Sequence, residues 1–144
     1  MGTRCGDIDP ALVTYIMRKR RFDVHAIEGV LNKTSGLKGI SGISNDMRVL
    51  EAKTKSGDRR AKLAIDIFVY RIKKYIGAYT AIMKGCDALV FTAGIGENQK
   101  RIRQRICRGL FLHLKKKPKI LVIPTNEELM IARQTFELIK RRIK

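Results

Sequence analysis

Four short segments carry residue types at spacings suited to holding an anionic ligand. In TAGIGEN, Thr92 to Asn98, the glycines Gly94 and Gly96 let backbone N–H groups approach an anion or a nucleotide. The helix expected after them aims its positive end at the same place. PTNEE, Pro124 to Glu128, is a second helix start at the end of an apolar run. Glu128 stands three residues after Thr125, the spacing of a capping box, which leaves Glu127 free as a carboxylate ligand for a hard cation such as magnesium. Near the N-terminus, Arg4 sits between glycines in GTRCGDIDP. A guanidinium there can meet a carboxylate or phosphate in a planar, forked contact. NDMR, Asn45 to Arg48, offers an acid for a ribose hydroxyl and a guanidinium for an adenine face.

Each segment also has a plainer reading. A glycine pair packs a helix tightly, first-turn glutamates are favoured by the helix dipole, Arg4 is a surface arginine, and NDMR is an ordinary cap. Spacing alone leaves both sets open.

The elements that must position these residues follow from periodicity. Asp9 and Pro10 read as an N-cap and first helical residue, and Leu12, Ile16 and Met17 predict a helix that ends in Arg18 to Arg21. A second short helix is expected from Asp23 to Leu31. SGLKGISGIS, Ser35 to Ser44, reads as an ordered loop, too punctuated by glycine for a long helix. Asn45 and Asp46 then cap a helix through Leu50 and Ala52 that fades between Lys53 and Asp58. Leu63, Ile67, Phe68, Ile72, Tyr75, Ile76, Tyr79, Ile82 and Met83 recur at helical spacing and predict one long core helix over Arg59 to Lys84. Tyr75, Tyr79, Cys86 and Cys107 read as packing residues.

After Gly85, DALVFT, Asp87 to Thr92, reads as a buried strand, AGIGEN as a loop, and Asn98 to about Leu110 as a helix. A second strand, Lys119 to Ile123, ends at Pro124, and Thr125 with Glu128 caps a last helix carrying Leu129, Ile131, Ala132 and Leu138. The pattern is α/β, mostly helices with a short parallel sheet. A right-handed crossover between parallel strands places Gly94 to Asn98 and Pro124 to Glu128 at neighbouring strand ends. Two parallel strands make a poor sheet by themselves, so further strands are expected from outside this sequence.

The chain has 144 residues with 44% hydrophobic content, enough for one domain or part of one. Its 31 Lys and Arg against 13 Asp and Glu give a formal net charge of +18. Such a balance raises the expectation of a nucleic-acid or other anionic partner. The runs Arg18 to Arg21, Lys100 to Arg108, Lys115 to Lys119 and Lys140 to Lys144 fall mostly where helices should end, which favours a solvated, dipole-matched surface. Nucleic acid is therefore not the expected partner, and a noncatalytic basic binding module for nucleic acid or a protein is the alternative. Cys5, Cys86 and Cys107, with only His25 and His113 beside them in the sequence, suggest neither a disulfide framework nor a zinc site. No apolar run reaches membrane-spanning length and MGTRCGDIDP lacks the apolar core of a signal peptide, so a cytoplasmic setting without a membrane partner is expected.

Taken together and in order, GTRCGDIDP, SGLKGISGISNDMR, YRIKKYIGAY, DALVFTAGIGEN and VIPTNEELMIAR resemble the acetate kinase family, over nearly the whole chain. The resemblance implies part of a ribonuclease H-like domain of the acetate and sugar kinase, Hsp70 and actin type, with ATP bound between two related domains. It implies reversible γ-phosphoryl transfer from ATP to acetate, or another short carboxylate, with Mg2+, in a homodimer joined through C-terminal domains. Arg4 matches the arginine that stabilises the transferring phosphoryl group, and Glu127 matches the magnesium ligand. Asp46, Met47 and Arg48 match one nucleotide-contacting segment; Gly94, Ile95, Gly96, Glu97 and Asn98 match the other. Residues 1–144 correspond to the C-terminal nucleotide-binding part, opening at the GTR block without the N-terminal domain or the glycine-rich HLGNG segment. Between Leu110 and Lys119, FLHLKKKPK replaces a longer connection, so an internal deletion is expected. The expectation is a fragment that keeps the ATP and magnesium half-site and is inactive alone.

Overall fold

Local capping sets the first helices. In the computed structural model, which describes residues 1–142, the Asp9 carboxylate accepts from Ala11 N at 2.8 Å and opens α1, Pro10–Arg20. Asp23 accepts from Ala26 N at 2.7 Å and opens α2, Val24–Lys33. The Asp9 cap is the one the sequence predicts; Asp23, expected as the first helical residue, is instead the cap of its helix.

SGLKGISGIS departs from expectation, because part of it forms a helix, α3, Gly36–Ser41. Leu37 and Ser41 are one helical turn apart and both buried, and Gly42 in the left-handed region, φ +71°, closes the turn by donating to Lys38 O. Packing of that face overrides the poor propensity of the glycines. Residues 1–5 lie along the start of α3: Ser35 N donates to Thr3 O at 2.9 Å and Lys38 N to Gly2 O at 3.0 Å, while Cys5 N donates to Leu31 O at 2.8 Å. Gly36 permits this approach. Its φ is +60°, and a Cβ there would stand 2.6 Å from Met1 O and 2.8 Å from Arg4 O.

Asp46 caps α4, Met47–Lys55, and Asp58 caps α5, Arg59–Ile82, by accepting from Ala61 N. The long helix is as predicted, but its inward face is not. Ala61, Ala64, Ile65 and Val69 are buried, with Phe68, Ile72 and Ile76 packed beside them. Leu63, Tyr79, Ile82 and Met83, expected in the core, are exposed. The small alanines let α5 lie close to α3 and α4, which turns the bulkier stripe outward.

Strand β1, Ala88–Phe91, pairs in parallel with β2, Lys119–Val122, in the register Ala88 to Lys119 through Phe91 to Val122. Between them run α6, Ala93–Asn98, α7, Lys100–Cys107, and the FLHLKKKPK turn. AGIGEN is thus a short helix and not an open loop. The last helix, α8, is Glu127–Arg142. The core gathers Leu37, Met47, Leu50, Ala61, Ala64, Ile65, Val69, Phe91, Ile102 and Ile106, drawn from α3, α4, α5, β1 and α7. By contrast, β2 and residues 127–141 of α8 are exposed throughout, so Leu129, Ile131 and Leu138 find no cover. Ile143 and Lys144, the end of the last basic run, lie outside the described residues. No described helix is long and apolar enough to cross a membrane.

Candidate functional site

The two strand ends meet through threonines. Thr92 follows β1 and Thr125 follows β2, and their hydroxyl oxygens are 2.6 Å apart. Ala93 N donates to Thr125 Oγ1 at 2.9 Å. From α6, Glu97 reaches back: its Oε1 accepts from Thr125 N at 2.9 Å and from Thr125 Oγ1 at 3.0 Å. The donation from the Thr125 backbone, then that from its hydroxyl, holds the Glu97 carboxyl below the usual glutamate range. Gly94 to Asn98 and Pro124 to Glu128 therefore lie at neighbouring strand ends, as parallel pairing requires.

Capping differs from expectation. Thr125 forms no capping box, because its hydroxyl is committed to Glu97 and Thr92. Asn126 takes that role by accepting from Leu129 N at 3.0 Å. Glu127 and Glu128 occupy the first turn of α8. No hydrogen bond or ion pair engages the Glu127 carboxylate among the described residues, so it is exposed and available. Within α6, a Cβ on Gly94 would meet nothing within 4 Å, so this backbone is open to approach. Asn98 Nδ2 donates to Gly94 O at 2.9 Å, and Arg103 Nη1 donates to Gly96 O and Glu97 O at 2.8 and 2.7 Å, bracing the turn from α7. Ile95 packs against the core.

The NDMR segment is half engaged. Asp46 caps α4 through Arg48 N at 2.8 Å, and Arg48 Nη2 lies 2.7 Å from Asp46 Oδ2. The Arg48 hydrogen bonds hold the Asp46 carboxyl below its ordinary range. Met47 is 2% exposed in the core, so it offers a ligand its backbone and not its side chain. Arg4 is exposed, with no side-chain partner among the described residues. Its segment adjoins both others: Gly2 lies against Asn45, and Met1 lines a cavity of about 480 Å³ with Phe68, Ile72, Thr92, Ala93 and Gly96. A larger cavity, about 610 Å³, lies between Met1, α3 and α5 and contains none of the candidate residues.

Magnesium fits this chemistry in one specific way. The described residues hold no group of three or more His, Cys, Asp or Glu that could enclose a metal. With the capping box absent, Glu128 is as exposed and unengaged as Glu127 among the described residues, and one such carboxylate, Glu127 by the resemblance, suits an ion that keeps most of its waters and arrives with a phosphate chain. Sequence reasoning gave Thr125 to a capping box and missed its bonds to Thr92 and Glu97, along with the cap at Asn126. Their only signal was a threonine at the end of each predicted strand.

A short parallel sheet beside mostly helical layers, with two turns meeting at its strand ends, is shared with solved kinases of the acetate and sugar kinase, Hsp70 and actin fold, a class that includes phosphotransferases. The comparisons agree. A solved acetate kinase from Porphyromonas gingivalis superposes with a TM-score of 0.87 at 39% identity, over 96% of this chain and 40% of that one. A solved propionate kinase from Francisella tularensis gives 0.83 at 43%, over 92% of this chain and 38% of that one. Acetate kinase from Halothermothrix orenii is 51% identical over 160 residues, covering 97% of this chain and 40% of its own length. The acetokinase family matches residues 1–115, and the chain belongs to that family. It spans about 40% of the length of the relatives it matches. The aligned stretch of 160 positions exceeds the 144 residues here, so the relative carries residues this chain lacks. The family match stops at residue 115, between Leu110 and Lys119.

Proposed function

We propose that residues 1–144 are the C-terminal nucleotide-binding part of an acetate kinase-like phosphotransferase, contributing the ATP and Mg2+ half of a site for phosphoryl transfer to acetate or a similar short carboxylate. The observation that carries this reading is the junction of the Gly94 to Asn98 turn with the start of α8 through Thr125, which sets an open backbone turn beside an unpartnered carboxylate. In this reading Gly94, Ile95, Gly96, Glu97 and Asn98 form the nucleotide wall, Asp46, Met47 and Arg48 border its base end, and Glu127 holds the metal. Bound magnesium would neutralise phosphate charge. The Arg4 guanidinium stabilises the transferring phosphoryl group, whose reaction depends on positioning and charge neutralisation. Acetate and propionate kinases among the relatives leave the acceptor a short carboxylate. A cytoplasmic homodimer is part of the same proposal.

The test is a titration of the purified chain with ATP, with and without magnesium. Weak binding strengthened by magnesium, with that gain lost in Glu127→Gln, is the expected result. No binding at millimolar ATP overturns the reading.

One observation favours a second reading, the noncatalytic basic module. Lys62 and Arg105 both contact Asp66, at 2.7 and 2.5 Å, and Lys73 reaches Arg108 O, so several cations line the α5–α7 seam around a single carboxylate. Retention on nucleic acid in place of ATP would favour it.

A further inference from the structure

We infer that Glu97 is a positioning residue: with Thr125 it forms a latch that fixes the start of α8, and hence Glu127, against the α6 turn. The inference rests on the proposed Mg-ATP site and reassigns Glu97 within it, from a group that touches nucleotide to one that acts through another.

The hydrogen-bond directions make the latch one-way. An ionised carboxylate only accepts, so the Thr125 hydroxyl proton must go to Glu97 Oε1 at 3.0 Å. Thr125 Oγ1 then has no proton left for Thr92, so the 2.6 Å contact is a donation from Thr92 to Thr125. Ala93 N supplies the other donation to the same oxygen, at 2.9 Å. Thr125 Oγ1 thus gives one hydrogen bond and receives two. Its backbone N–H is also spent on Glu97, at 2.9 Å.

Three consequences follow. Glu97 Oε1 is already occupied by two donors, which suits holding the turn better than meeting a polyphosphate of its own sign. The Ala93 N–H is turned away from any anion, so the backbone amides left for a phosphate begin at Gly94. Ala93 itself is held at φ +60°, outside the usual range for a residue with a Cβ, and the bond to Thr125 helps hold it there. The register between the two strands ends at Phe91 and Val122, and Ile123 N still donates to Phe91 O at 2.9 Å. Beyond that bond, the Thr125 to Glu128 segment is tied to α6 by the two donations from Thr125 to Glu97 and by that from Ala93 N to Thr125 Oγ1.

The test uses the full chain with Glu97→Ala, Glu97→Gln, Thr125→Val and the Glu97→Ala/Thr125→Val double variant. Mg-ATP affinity should fall about 10-fold in Thr125→Val, the worth of one charge-assisted hydrogen bond, and at least as much in Glu97→Ala, which removes both donations from Thr125. The double variant should lose less than the two single losses added together, because both substitutions remove the hydroxyl's donation to Glu97, while Thr125→Val leaves the Thr125 backbone donation in place. Binding of ATP without magnesium should change much less. Glu97→Gln, whose amide oxygen accepts the same bonds, should largely restore affinity. An affinity lost as fully in Glu97→Gln as in Glu97→Ala means that the charge of Glu97 meets the ligand directly and overturns the inference, because the glutamine still accepts both donations from Thr125. Lower melting temperature with unchanged affinity overturns it too, leaving only a structural brace. Should the unsubstituted chain bind no Mg-ATP, the nucleotide reading fails and backbone amide NMR decides the latch. Thr125→Val must then shift the amides of Gly94 to Asn98, and Glu97→Ala those of Asn126 to Glu128. If neither substitution reaches across, the latch is wrong.

Discussion

Glu127 and Ala93 separate what a residue does for the fold from what it does for a ligand. Glu127 is exposed and makes no described contact, so Glu127→Gln should change unfolding free energy by no more than about 0.5 kcal/mol, measured by urea denaturation. Ala93 sits in the left-handed region, where a Cβ costs about 1–2 kcal/mol. Glycine removes that cost but adds chain entropy to the unfolded state, so Ala93→Gly should be neutral or stabilising by up to about 1 kcal/mol in the same measurement. Gly36→Ala should do the opposite. Its Cβ would meet two backbone oxygens at 2.6 and 2.8 Å, which cannot swing aside, and a loss of about 2–4 kcal/mol is expected from thermal melts.

At the scale of elements, α5 is the column against which α3, α4 and α7 pack, and one carboxylate helps tie α7 to it. Burial works against the ionised form of Asp66, but hydrogen bonds from Lys62 and Arg105 outweigh it and hold this carboxyl below the usual aspartate range. A carboxyl depressed in the folded chain contributes stability that is complete above its unfolded value, near pH 4, and is lost as pH falls through the lower native value. The urea midpoint should therefore drop as pH goes from about 5 towards 3, and Asp66→Asn should flatten part of that slope. The periodicity of α5 was plain in the sequence, yet its buried face was not. Its apolar residues run nearly all the way round, and only the close approach of α3 and α4 to Ala61 and Ala64 selects a side. The α3 helix was hidden for a related reason, since its glycines argue for a loop until Leu37 and Ser41 are buried together.

For the whole molecule, +18 on 144 residues is a self-repelling charge, and the described ion pairs engage few of the cations. Raising salt from about 0.05 to 0.5 M should raise the melting temperature by screening that repulsion. Purified alone, the chain should form no acetyl phosphate from ATP and acetate above background. One lost transition-state donor commonly costs about 100- to 1000-fold, and a chain spanning 40% of its relatives lacks far more than one group. Turnover that requires acetate and magnesium and vanishes in Arg4→Ala would refute this. The sequence by itself determined both strands and the helices other than α3 and α6, the parallel pairing, the family and the two turns at the strand ends, because capping residues, apolar period and glycine placement act over a few neighbours. Tertiary structure alone decided that Met47 is core, that Thr125 bonds Glu97 and so cannot cap α8, and that α8 and β2 remain uncovered. Those outcomes depend on which elements meet in space, as Glu97 and Thr125 do across 28 residues of chain, and local spacing carries no record of such meetings.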